Sequence, residues 1–200
     1  MEPFTNSPYY LFVQDVATVA ISIGFLVVAW KGLATWKAQA KGIKAYEIAY
    51  NLHYAILKLR NAISCVRYPA TYPSESYKAI QYASNRYPDK QREEIEKNSQ
   101  AYVYELRWEK IVSATTEIES HLLGAEVLWG SEILDMMKPV NRKVTELNIA
   151  LHENFQPRDL RTKDPMEIFN MIYERGDDAF SKDVNTAIQD VLNYIKNKLR

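Results

Sequence analysis

The chain has 200 residues with 25 basic and 25 acidic side chains, so its formal net charge is zero and no broad basic field points to nucleic acid. Its single cysteine, Cys65, excludes an internal disulfide and suits a reducing compartment, where a small buried hydrophobe is its expected role. Six glycines and almost no alternating apolar pattern predict an all-α chain.

The N-terminal stretch is the most informative. Val16 to Trp30 carries no charge, and together with Tyr9 to Val13 it approaches the ~20 residues a helix needs to cross a bilayer. Only Glu2 is charged before it apart from Asp15 near its outer end, whereas Lys31, Lys37, Lys41 and Lys44 follow with no acid until Glu47. Lysine-rich flanks stay in the cytoplasm. The expected topology is therefore a short extracytoplasmic tail (1–8), a transmembrane helix (9–30) and a cytosolic helical bundle domain (31–200). Tyr9, Tyr10 and Phe12 at one end and Trp30 and Trp36 at the other fit interfacial aromatic belts. A cleavable signal peptide would want a basic segment before its apolar run, and Glu2 stands there instead. A buried soluble helix is the better rival, since the strictly uncharged run is only 15 residues.

Within the span, Asp15, Thr18 and Ser22 recur at i, i+3 and i+7 and share one face, with Gln14 beside it. Polar groups at membrane depth seek other helices or water. Ala20 and Gly24 add a small-xxx-small pair on which a second helix could approach. These five residues are the candidate intramembrane association surface, against the alternative that Asp15 simply reaches the outer interface. Lys31, Lys37, Lys41 and Lys44 are the candidate contacts to anionic lipid headgroups.

The following helix grows directly out of the span. Ala45, Ala49, Leu52, Ile56, Leu59, Ile63 and Val66 step by three and four, and Pro69 and Pro73 bracket the turn after Arg67. Run from Lys31 to Arg67, this helix would be roughly 55 Å long, with Gly32 and Gly42 as the expected points of bending. A short helix over Ser74 to Arg86 precedes a helix start at Pro88-Asp89. Tyr104, Trp108, Ile111, Thr115, Ile118, Leu122, Ala125 and Trp129 then step four, three, four, three throughout, the seam of a coiled coil or bundle. Met136, Val140, Val144, Leu147 and Leu151 prolong it, but Pro139 is expected to kink or break the helix. Gln156 to Pro165 reads as a connection and Met166 to Arg175 as a short helix stopped by Gly176. The final helix presents Val184, Ile188, Val191, Ile195 and Leu199 on one face. The long helices must bury these faces against one another, and an antiparallel bundle is the economical solution.

No residues assemble a catalytic motif. His53, His121 and His152 are scattered, and only Glu117, four before His121, stands at helical spacing from one of them; no metal or cofactor is expected. Glu117, Glu119, Glu126, Glu132 and Asp135 do not share a face, and Tyr46, Tyr50 and Tyr54 form a stripe best read as packing at the bundle edge. Phosphate loops, nucleophile elbows and kinase signatures are missing.

Thr35, Trp36, Gln39, Lys41 and Gly42, followed by Tyr46, Glu47, Ala49 and Arg60, resemble a TWxxQxKG element and long helix found in a family of uncharacterised bacterial single-span proteins. Gly176, Asp177, Phe180, Ser181 and Val184 are similar to the end of those proteins. The resemblance covers roughly a third of the chain. It implies a bacterial inner-membrane setting and no assigned activity. The functional expectation is a membrane-tethered helical interaction or scaffold module, oligomeric and not an enzyme. Its partners are membrane lipids and either further copies or another membrane protein, with no nucleic acid or small-molecule substrate indicated. A small membrane effector or channel assembled through the polar intramembrane face is the alternative, and a helical enzyme without a motif is a third possibility.

Overall fold

A computed structural model describes residues 8–176 and 178–199, with side chains from residue 11. Seven α-helices, with no strand among the described residues, account for nearly all of it. They are α1 (Pro8–Arg67), α2 (Pro73–Arg86), α3 (Arg92–Lys97), α4 (Ser99–Trp129), α5 (Glu132–Phe155), α6 (Pro165–Ile172) and α7 (Ala179–Lys198), with a 3-10 turn at Arg158–Leu160. The chain divides into two compact units, Met1–Tyr46 and Glu47–Arg200.

The first unit is the N-terminal part of α1, long and apolar enough to cross a membrane. The helix continues through Gly32 and Gly42 without interruption, and a Cβ at either position would meet nothing within 4 Å. Residues 1–7 of the expected tail, the side chains of Tyr9 and Tyr10, and Asp177 lie outside the described residues, while Pro8, expected in the tail, begins α1.

In the second unit the periodic faces become the core. Ala49, Leu52, Ile56, Leu59, Ile63 and Val66 of α1 are buried with Ile111, Ile118, Leu122 and Ala125 of α4. The same cluster takes in Met137, Val140, Leu147 and Leu151 of α5, Ile168 and Ile172 of α6, and Val184, Ile188, Val191 and Ile195 of α7. Each fully buried large aliphatic chain contributes about 1.5–3 kcal/mol of transfer free energy, so this contiguous set is the main stabilising term. Ala79, Ala83, Ile95, Tyr102 and Val103 form a smaller core under α2 and α3. Between α1 and α4, Ile48 meets Gly124, Lys58 meets Glu117 and Cys65 meets Lys110, so numbers rise on one helix as they fall on the other. Between α5 and α7 the pairs Glu132 with Tyr194 and Lys143 with Asp183 repeat that order.

Four sequence expectations are corrected. The break falls at Gly130, whose φ of +83° suits glycine, and α5 runs through Pro139 uninterrupted. Pro139 is exposed while Met137 and Val140 beside it are buried. Packing thus holds the helix where the missing N–H would otherwise end it, and a carbonyl left unbonded on the outer side of a helix can be solvated. The helix start assigned to Pro88-Asp89 is a turn; α3 begins at Arg92 and a further turn at Asn98 precedes α4. The helix expected to reach Arg175 stops at Ile172, because the next residues are drawn to the end of α1: the Glu174 N–H donates to the Arg67 carbonyl at 2.9 Å. Leu199 lies past the end of α7 and is exposed.

Candidate functional site

Along the first unit the apolar side chains from Leu11 to Trp30, among them Val16, Val19, Ile23, Phe25, Leu26 and Val28, are all exposed. A continuous apolar surface of this kind on a soluble chain would be an aggregation site, whereas hydrocarbon covers it at no cost. Thr18 Oγ1 donates to the Gln14 carbonyl and Ser22 Oγ to the Thr18 carbonyl, each at 2.8 Å. Both hydroxyl protons are thereby bound one turn back, and Asp15 is the only charged side chain from Leu11 to Trp30. Asp15, Thr18, Ala20, Ser22 and Gly24 are exposed, and a Cβ on Gly24 would meet nothing within 4 Å. Lys31, Lys37, Lys41 and Lys44 are exposed on the next turns, where the Lys31 carbonyl accepts from Thr35 Oγ1 at 2.9 Å.

In the second unit the buried charges tie loops together. Arg67, 1 % exposed, ends α1. Its Nε donates to the Met171 carbonyl at 2.7 Å, one terminal nitrogen to Ser181 Oγ, and the other to the carbonyls of Asn170 (3.0 Å) and Tyr173 (3.3 Å) and to Asp178 Oδ1 (3.0 Å). Asp178 also caps α7, accepting from the Ser181 N–H at 2.8 Å. Burial pushes the Asp178 carboxyl up, but the Ser181 N–H, the Arg67 guanidinium, the Ser181 hydroxyl and the Arg175 N–H outweigh it and hold the group down at about 2. Arg107, 3 % exposed, grips the loop after α1: its Nε and one terminal nitrogen fork onto Glu75 at 2.7 and 2.8 Å, and it donates to the Tyr68 and Ala70 carbonyls at 2.7 Å. That hydrogen-bonded pair lowers the Glu75 carboxyl below its ordinary range. Glu153, also buried, accepts from the Thr162 hydroxyl and the Lys163 N–H and so closes the connection before α6. The two arginines donate to backbone carbonyls and to Glu75, Asp178 and Ser181, and Glu153 accepts from the loop that follows its helix.

The other residues singled out by sequence are dispersed. Among the described residues no three of His, Cys, Asp and Glu cluster as metal ligands. Glu117 pairs with Lys58 at 2.8 Å, which raises the Lys58 pKa through that hydrogen bond. Tyr46, Tyr50 and Tyr54 are exposed, not packed at the bundle edge; the Lys58 ammonium lies 4.9 Å from the Tyr54 ring centre. Cys65 is half-buried, not buried, and accepts from Lys110 Nζ at 3.2 Å.

Sequence reasoning missed Arg67, Arg107, Glu153 and Asp178. A signal existed for the two arginines. Arg67 stands four after Ile63, and Arg107 lies three after Tyr104 and four before Ile111, so both occupy core-register slots where a charge needs a dedicated set of partners. Missed too was a groove of about 1000 Å³ between the end of α1, the start of α2 and the middle of α4. In comparisons with known proteins, no family model, no curated protein and no solved structure matches this chain.

Proposed function

We propose that this is a single-span inner-membrane protein whose N-terminus faces outward and whose second unit, an antiparallel helical bundle, lies in the cytosol as a scaffold for further copies or another membrane protein. The exposed apolar surface of α1 from Leu11 to Trp30 carries the reading, because only lipid or an equally apolar partner covers it favourably. The lysine-only flank from Lys31 to Lys44 supports the orientation and suits anionic inner-leaflet lipids. The reversed residue order of the α1/α4 and α5/α7 pairs supports the antiparallel arrangement. A binding role is favoured over a catalytic one because Arg67, Arg107 and Glu153 are spent on tying loops to helices.

With the hydroxyl protons of Thr18 and Ser22 satisfied within the helix, association in the membrane rests mainly on Asp15, assisted by the small surface at Ala20 and Gly24. Crosslinking in native membranes tests this. The wild-type chain is expected to give oligomeric or heteromeric products, Asp15→Leu to insert as well but crosslink less, and Val27→Leu on another face to behave as wild type. Unaltered products in Asp15→Leu would move the contact to the cytosolic unit, and a chain that crosslinks to nothing would contradict the scaffold role.

A further inference from the structure

We propose that the groove between α1, α2 and α4 binds a small aromatic anion of the nucleoside phosphate class. The groove lies wholly within the second unit, and its volume of about 1000 Å³ is at the upper end of the range of small-molecule sites. Most charges on its walls are already matched. Arg107 forks onto Glu75, Lys58 pairs with Glu117, and Glu109 accepts from Tyr82 at 2.9 Å and Arg86 at 3.4 Å. Lys78 and Lys110 are different: both are exposed on the groove, and neither forms an ion pair with a carboxylate among the described residues. The Lys110 ammonium donates to the Cys65 thiol, a weak acceptor, and near it lies Glu75, whose carboxylate is already held by the Arg107 fork. Two ammonium groups facing one concavity whose nearest acids are engaged make a locally positive site, which a phosphate would complete.

The aromatic half of the ligand follows from Tyr68 and Tyr72. Their rings stack with centres 6.3 Å apart and planes 15° from parallel, and their hydroxyls lie 3.3 Å apart. Tyr68 is 45 % and Tyr72 57 % exposed, so this platform sits in the groove wall with ring surface open to solvent. A flat heterocycle gains stacking energy there, with its phosphate directed to Lys78 and Lys110. Ala62, Leu106 and Ala114 supply apolar wall between the two ends. This site goes beyond the scaffold reading and does not depend on it, since binding to the second unit is independent of membrane topology and association.

The experiment is calorimetric titration of the full chain in lipid nanodiscs with AMP, ATP, adenosine, inorganic phosphate and a single-stranded oligonucleotide. The mononucleotides are expected to bind in a salt-sensitive manner, with adenosine and phosphate each weaker because each lacks half of the contact. Lys78→Gln and Lys110→Gln should each weaken binding about tenfold, and Tyr72→Leu about tenfold through lost stacking. Lys110→Arg should retain most of the affinity. Lys138→Gln, a surface change outside the groove, should leave it unaltered. Circular dichroism verifies that each variant is folded. The proposal is overturned if neither mononucleotide binds the folded wild-type chain. It is equally overturned if Lys138→Gln weakens binding as much as Lys110→Gln, or if the oligonucleotide binds far more tightly than any mononucleotide, which would indicate a nucleic-acid surface.

Discussion

Replacing Arg67 by methionine keeps an unbranched apolar stem and removes the guanidinium that joins the end of α1 to the α6–α7 connection. Five acceptors lose a donor: the carbonyls of Asn170, Met171 and Tyr173, Ser181 Oγ and Asp178 Oδ1. The site cannot rehydrate freely, because Arg67 is 2 % exposed by side chain and Asp178 14 %. Removing one partner of a buried pair costs about 3–5 kcal/mol, a large fraction of the ~5–15 kcal/mol that stabilises an ordinary domain. Arg67→Lys retains the charge but not the planar fork, so it should recover less than half of the loss. Urea unfolding of the full chain in detergent micelles, followed by tryptophan fluorescence, gives the magnitude. Hydrogen exchange gives the locality: the Glu174 amide, bonded to the Arg67 carbonyl, should exchange much faster in Arg67→Met, while amides in the middle of α4 change less. A loss under about 1 kcal/mol, or full recovery by lysine, would refute the view that the fork itself holds this junction.

Asp178 supplies a pH test. Its folded value of about 2 lies below the ordinary 3.8, so its contribution is complete above the ordinary value and is lost as pH falls from about 4 through about 2. Asp178→Asn should be less stable at neutral pH and should flatten that acid limb of the stability profile; an unchanged limb would show that other carboxylates set it. In the seam, Leu122 is 8 % exposed, and Leu122→Ala should cost about 2–5 kcal/mol. Glu119→Ala on the exposed side should change stability by less than about 0.5 kcal/mol, and equal effects in urea melts would place the core on the wrong face of α4.

What could be read from the chain were the features carried by short-range periodicity. The buried face of α1 from Ala49 to Val66, most of the α4 seam and the apolar face of α7 from Val184 to Ile195 follow from three- and four-residue spacing and are buried, although Trp108, Thr115 and Trp129 at the seam are only half-buried. Boundaries were less legible where two local signals competed. Pro139 is the stronger breaker by residue type, yet buried neighbours hold α5 through it, whereas Gly130 ends α4 through a backbone conformation that few other residues adopt. α6 ends at Ile172 where Arg67, more than 100 residues earlier, binds the carbonyls of Asn170, Met171 and Tyr173, which no local pattern records. The groove was hidden for the same reason. Lys78, Lys110 and Tyr68 come from three separate helices or their ends, and nothing in their sequence surroundings distinguishes them from ordinary surface residues until the helices are packed.

The central claim, that α1 anchors the chain with the second unit on the lysine side, is tested most directly by labelling single cysteines in a Cys65→Ser background in intact cells. With cysteine at Ser7 or at the exposed Asn141, a membrane-impermeant maleimide is expected to label position 7 from outside. Position 141 should react only after the cells are permeabilised, and the chain should remain in the membrane fraction after alkaline extraction. Labelling of position 141 in intact cells with position 7 protected would reverse the orientation, and release of the chain by alkaline extraction would contradict the anchor itself.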